Sequence, residues 1–194
     1  MIENKLIELG ITVSNEKFHN EAQILHEYEE LIGHSIPETY KYFILKYKTS
    51  LIFDNIIIYR PLQSSPWGDE KGMQQLDEFY GLCQSKGEDL GLSTLSSVFE
   101  TYLSRMPYSV VPIASAPGGN QICLGIIEEV ENKVFFWDHE DEREIVGENQ
   151  NDFKNMYLIA DTFEDFIDSL MIDKSDPGSD DGIVSSWFSD DLDL

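Results

Sequence analysis

Residues 107–140 read Pro-Tyr-Ser-Val-Val-Pro-Ile-Ala-Ser-Ala-Pro-Gly-Gly-Asn-Gln-Ile-Cys-Leu-Gly-Ile-Ile-Glu-Glu-Val-Glu-Asn-Lys-Val-Phe-Phe-Trp-Asp-His-Glu. Three apolar runs stand out, Val110 to Ala114, Gln121 to Ile127 and Lys133 to Trp137, each rich in β-branched or aromatic residues. Pro117-Gly118-Gly119-Asn120 separates the first two, and Glu131-Asn132-Lys133 the last two; both supply residues that tolerate positive φ. Three consecutive strands are therefore expected. The runs hardly alternate between apolar and polar, so both faces of their sheet should be covered.

Outward from this centre, the chain of 194 residues suits one well-buried core. With 41% hydrophobic residues it belongs with globular chains, not disordered ones. Its charge is unusual: 37 acidic against 13 basic residues give a net charge of −24. A field of that sign repels nucleic acid and anionic membranes and attracts basic proteins, though it also serves plain solubility. Cys83 and Cys123 read as core thiols in a reducing compartment. The start, Met1-Ile2-Glu3-Asn4-Lys5-Leu6, lacks the apolar core of a secretion signal, and no window reaches 18 apolar residues, so a cytoplasmic protein is expected.

Residues 1–9 form a short helix with Ile2, Leu6 and Leu9 on one side. A firmer helix runs from Glu21 to Ile32, with Ile24, Leu25, Tyr28, Leu31 and Ile32 at helical spacing and Gly33 just past its end. Ser35 is the expected cap of a third helix, with Pro37 in its first turn and Tyr40, Phe43, Ile44 and Tyr47 as its apolar stripe. These last two helices should pack as a hairpin. Leu51 to Tyr59 is rich in β-branched residues and reads as a strand, and residues 62–72 as a loop. Trp67 in that loop either folds back onto the core or serves recognition. Residues 73–81 suit strand or helix equally. A helix capped by Ser93 and running to Arg105 should bury Leu95, Val98, Phe99, Tyr102 and Leu103. After the central strands come a charged corner, Asp138 to Glu144, a polar loop over 145–156 and a short edge element at Tyr157 to Ala160. Thr162-Phe163-Glu164-Asp165 opens a last helix that buries Phe163, Phe166, Ile167 and Leu170. Residues 1–172 thus make one α+β domain with a central, mostly antiparallel sheet flanked by helices. Residues 173–194, with seven Asp and one Lys, make an acidic, flexible tail in which Trp187-Phe188 is the outlying apolar pair.

Catalytic and metal-binding patterns are not apparent. Asp138, His139, Glu140 and Asp141 are adjacent donors, and neighbours on an extended chain point to opposite sides. Setting Gly182 at the sixth position of a calcium loop puts Pro177 first and Phe188 twelfth, where ligands are needed. Nucleophile elbow, phosphate loop and His-Glu-x-x-His are all missing. No cofactor is expected, and the chain is read as a non-enzyme.

Four motifs in order carry a resemblance: Gly33 with Ile36-Pro37-Glu38-x-Tyr40 and Phe43; Ile113-Ala114 with Gly119-Asn120-Gln121-Ile122-Cys123-Leu124; Val134-Phe135-Phe136-Trp137-Asp138-His139-Glu140; and Ile159-Ala160-Asp161-Thr162-Phe163-x-x-Phe166 with Leu170. Together they resemble the SUKH superfamily, which includes fungal cell-wall-assembly regulators and bacterial immunity proteins, over residues 20–171. Lys48-Thr49-Ser50 departs from the Asn-Gly usual in that family, which implies a different turn. The resemblance implies a protein that acts by binding: an antidote to a cognate polymorphic toxin, often a nuclease, or else a regulatory or scaffolding module. The acidic charge suits a toxin with a basic surface as partner, and neither nucleic acid nor membrane; oligomeric state is left open. The expected partner-binding residues are Trp67 as apolar anchor, with Asp69, Glu70, Asp138, Glu140, Asp141, Glu142 and Glu144 around it.

Overall fold

The computed structural model describes residues 2–13, 18–84, 94–127, 129–141 and 152–175, and structural statements concern these. Their order is α1 (Ile2–Glu8), β1 (Ile11–Thr12), α2 (Glu21–Ile32), α3 (Glu38–Tyr47), β2 (Leu51–Tyr59), β3 (Gln74–Phe79), α4 (Leu95–Thr101), β4 (Val110–Ser115), a 3-10 turn (Pro117–Gly119), β5 (Gln121–Gly125), β6 (Val134–Trp137), β7 (Met156–Ala160), α5 (Phe163–Ser169) and β8 (Met171–Ile172). The fold is the expected α+β domain. Its sheet runs β1-β2-β3-β4-β5-β6-β7, and the strand pairs are antiparallel. β8 joins β2 at Ile57 and Ile58, while β1 pairs with Ile52 and Phe53. Both lie on the edge of β2 away from β3.

The central strands fall where the apolar runs put them, and every residue of β5 and β6 is buried. Alternate side chains serve two cores, as a period of two requires. Ile122, Leu124, Val134 and Phe136 face the main core beneath the helices. Cys123, Phe135 and Trp137 face a second one, closed by Met106, Met156, Tyr102 and Phe153. Pro112 has no N–H for the ladder, and the register with β5 shifts beside it. Gly118 and Gly119 take φ of 81° and 83° and Asn132 takes 65°, so both turns use the positive-φ residues expected of them.

Helix α5 is the middle of the main core. Thr162 Oγ1 accepts the Asp165 N–H at 3.0 Å and its hydroxyl donates back to the Asp165 carboxylate at 2.6 Å, a reciprocal cap. Phe163 meets Tyr40 and Phe43 of α3, each with centroids 5.1 Å apart, and Phe166 meets Tyr59 of β2 at 5.4 Å. The sheet bends around this helix. Leu62 and Gln63, just after β2, donate to the carbonyls of Ile159 and Leu158 on β7, at the far end of the strand order.

Several local expectations give way. Residues 73–81, readable as strand or helix, contain β3. Ser35 does not cap α3: Pro37 occupies that place without a side-chain bond, while Glu29 Oε1 accepts the Ile36 N–H at 3.0 Å. Lys41 reaches the same Glu29 at 3.2 Å, which ties α2 to α3 at their junction; the heavier packing is of α3 on α5 and of α2 on α4. Helix α4 stops at Thr101, short of Arg105, and is capped by Thr94. Leu103 consequently sits in a turn with 59% exposure, and Leu31 opposite it on α2 is 42% exposed, although both were expected in the core. Lys48 takes φ 67° after α3 without a glycine, and its Nζ holds Glu21 at 2.5 Å. Ser93 and residues 176–194 lie outside the described residues.

Candidate functional site

The loop between β2 and β3 is shaped by Asp69. Its Oδ1 accepts the N–H groups of Lys71 at 2.8 Å and Met73 at 2.7 Å, and its own N–H donates to the Met73 carbonyl at 2.8 Å. Asp69 is thus both an exposed acid and the hinge of a closed loop, the local side-chain-to-backbone bonding to which aspartate is prone. Ser65 Oγ accepts the Trp67 N–H at 3.1 Å. So fixed, Trp67 reaches across to the β4–β5 turn and the end of β6.

Its indole Nε1 donates to Asp138 Oδ1 at 3.0 Å. Its ring edge lies over Gly118, so close that a Cβ there would stand 2.5 Å from it. Trp67 keeps 37% of its surface exposed. The ring thus leans on the domain and still keeps part of its surface in solvent.

Asp138 is only 4% exposed. Oδ1 also accepts the Glu140 N–H at 3.0 Å, while its backbone exchanges bonds with Asn155, N–H to carbonyl at 2.9 Å and Nδ2 to the Asp138 carbonyl at 3.1 Å. Next to it, the His139 N–H donates to Oδ1 of the buried Asn120 at 2.8 Å, and Asn120 Nδ2 donates to the Pro117 carbonyl at 2.7 Å. One polar assembly thus joins Asn120 with Asp138, His139 and Glu140. A buried carboxylate needs such donors, since each unmade bond to it would be costly.

Of the expected site residues, Trp67 and Asp138 are in direct contact, Asp69 holds the loop that carries Trp67, and Glu140 is tied through its N–H to Asp138. Glu70, Glu140 and Asp141 are exposed. Glu142 and Glu144 lie outside the described residues.

Beside Trp67 opens a cleft of about 430 Å³ between the loop, β2, β3 and Pro117. Gln74, at the start of β3, lines it and is 3% exposed. Its Nε2 donates to Ser65 Oγ, while Oε1, buried, accepts no hydrogen bond among the described residues. Sequence reasoning missed this residue; a polar Gln-Gln pair opening an undecided segment was the only sign. A second groove, of about 430 Å³, is lined by Leu31, Leu103 and Tyr108, the last 55% exposed.

Among the described residues no group of three or more His, Cys, Asp or Glu could hold a metal ion, and no helix is long and apolar enough to cross a membrane. Burial raises the Cys123 thiol far above its ordinary pKa, and the Cys83 thiol is raised by the same cause, so neither is an activated nucleophile.

A Bacillus subtilis (strain 168) protein described as "SPbeta prophage-derived uncharacterized protein YokK" is 35% identical over 201 residues, covering 98% of this chain and 96% of its own length. The SMI1 / KNR4 family (SUKH-1) matches residues 20–169, which hold all four ordered motifs apart from Leu170. With that match spanning most of the chain and the relative aligned almost end to end, the protein belongs to the SMI1/KNR4 (SUKH-1) family.

Proposed function

We propose that the protein is an immunity protein, which binds a cognate polymorphic toxin with a basic surface and blocks it; a nuclease is the toxin type that its charge fits best. The observation that carries this reading is the Trp67 face: a one-third exposed indole, oriented by Asp138 and Gly118, among the exposed carboxylates of Asp69, Glu70, Glu140 and Asp141. Membership of a family of immunity and regulatory proteins supports it, as does similarity to a prophage protein. The field of a −24 chain draws in a basic partner from a distance. Rim charges contribute little to residence time, so an aromatic anchor at the centre is what tight binding requires. Glu142 and Glu144 extend the acidic rim in sequence. Asp138 serves differently from the rim acids, by holding the anchor.

The test is co-expression with the product of the reading frame directly upstream. Wild type should rescue growth, and binding should weaken with salt. Trp67→Ala, or Glu70, Glu140 and Asp141 together changed to Lys, should lose rescue. A wild type that neither rescues nor binds removes the immunity reading; rescue by all variants moves the site elsewhere. A non-catalytic scaffolding module is the second reading, and the exposed apolar groove of Leu31, Leu103 and Tyr108 is the observation in its favour.

A further inference from the structure

The cleft beside Trp67 combines features that no single-purpose apolar pocket needs. Its walls include Trp67, Pro117 and Phe136, which are apolar, together with Asp69, Asp173 and Gln74. At about 430 Å³ it lies at the small end of ligand sites, room enough for a side chain and too little for a folded element. Gln74 Oε1 is a buried acceptor with no donor among the described residues. Of the buried side-chain polar atoms without a partner among the described residues it is the one whose residue lines this cleft, so a donor entering here has it to pair with once the carboxamide turns toward the opening. Two carboxylates at the same cleft set the sign of that donor. Asp173 Oδ1 accepts the Ser175 N–H at 2.8 Å and hydroxyl at 2.6 Å, which hold its carboxyl below the usual range and keep it ionised; Lys71 adds a weaker pull in the same direction.

We propose that this cleft is a socket for one arginine side chain of the partner protein, with its guanidinium against the Trp67 indole and donating to Gln74 Oε1 and to the carboxylates of Asp69 and Asp173. Arginine fits better than lysine. Its planar cation stacks on an aromatic ring and has several N–H groups in a fork, enough to serve an amide oxygen and a carboxylate together. An ammonium is more strongly hydrated and meets the ring as a point charge. This inference rests on the Trp67 face being the binding face, and it narrows the partner to one that presents an arginine at the centre of its contact.

The experiment uses the full chain and small probes. N-acetyl-arginine-amide is titrated at constant ionic strength while two-dimensional NMR follows the Trp67 indole N–H and the Gln74 carboxamide. N-acetyl-citrulline-amide, of the same shape without charge, and N-acetyl-lysine-amide serve as comparisons. A saturable shift confined to the cleft, roughly tenfold weaker with citrulline and weaker with lysine, is the expected result. Gln74→Leu should weaken arginine binding roughly fivefold, the loss of one hydrogen bond, while Gln74→Glu, which keeps the acceptor, should retain it. A linear, non-saturating shift spread over the acidic surface overturns the proposal, and so does an equal response to citrulline; the comparison needs no variant to fold. Since no toxin enters the titration, a failure here leaves the rescue assay standing, and a failed rescue leaves this result standing.

Discussion

Replacing Gly118 by alanine tests how Trp67 is held. Gly118 has φ +81°, where an L-residue is strained by about 1 to 2 kcal/mol. The added Cβ would also stand 2.5 and 2.7 Å from two carbons of the Trp67 ring, well inside contact distance. The ring has to move, and its 3.0 Å bond to Asp138 goes with it. That leaves a 4%-exposed carboxylate short of one donor, a loss of about 1 to 3 kcal/mol. Together a destabilisation of about 2 to 5 kcal/mol is expected, a substantial share of a domain's stability. Urea denaturation gives the free energy, and the Trp67 indole N–H resonance reports the broken bond. The double variant Gly118→Ala with Trp67→Ala separates the causes: without the ring there is nothing to displace, so the two changes should cost less together than their sum. A Gly118→Ala protein within about 0.5 kcal/mol of wild type, with the indole resonance unmoved, refutes the argument.

Phe166→Ala should cost about 3 to 5 kcal/mol, because the ring is fully buried between α5 and β2; a change typical of surface sites in a urea melt would contradict that packing. Lys48→Gly should be neutral or stabilise by up to about 1 kcal/mol: it relieves the left-handed strain at φ 67° and gives up a partly exposed ion pair with Glu21 worth about 0 to 1 kcal/mol. A clear loss of stability would mean that the ion pair outweighs the strain. Burial holds Tyr28, Tyr40, Tyr59, Tyr80 and Cys123 protonated, each with its pKa raised in the fold. Stability from such groups is complete below their unfolded pKa and lost as pH rises above it. Melts should therefore weaken beyond about pH 9 to 10, by about 1.4 kcal/mol per group per pH unit. Tyrosinate absorbance that rises fully near pH 10 in a still-folded protein would speak against the burial of these hydroxyls.

Periodicity and β-branching made the framework legible. β2 runs from Leu51 to Tyr59 as expected, β5 and β6 sit within their apolar runs while β4 goes one residue beyond its run to Ser115, and α5 begins at its Thr162 cap. Helix α4 was read too long because apolar spacing continues through Tyr102 and Leu103, and nothing in the sequence marks where hydrogen bonding stops; Ser104 at φ 66° shows that the chain has already turned. β3 stayed undecided because its buried positions, Gln74, Leu76 and Phe79, mix a polar residue into the inward face. In the candidate site the residue types were readable and the geometry was not. Trp67 and Asp138 are 71 positions apart, and no local pattern announces that they share a hydrogen bond. The burial of Asp138 depends on Asn155 and Trp67 arriving from other parts of the chain.

The bend that brings Leu62 and Gln63 onto β7 has a kinetic side. Gln63 Oε1 accepts the N–H of Leu158 from 95 positions away, and Thr39 reaches Asn132 across 93. β2 has its outer edge finished only when Met171 and Ile172 arrive. During synthesis β1 is at hand to pair with Ile52 and Phe53, while the stretch of β2 around Ile57 and Ile58 stays unpaired on its outer edge until Met171 and Ile172 have emerged. Such long-range closure favours slow folding, and it leaves the edge of β2 at Ile56, Ile57 and Ile58 open to other chains meanwhile. The net charge of −24 bears on this interval: like charge opposes the association of unfinished copies while the last described strand is still to come.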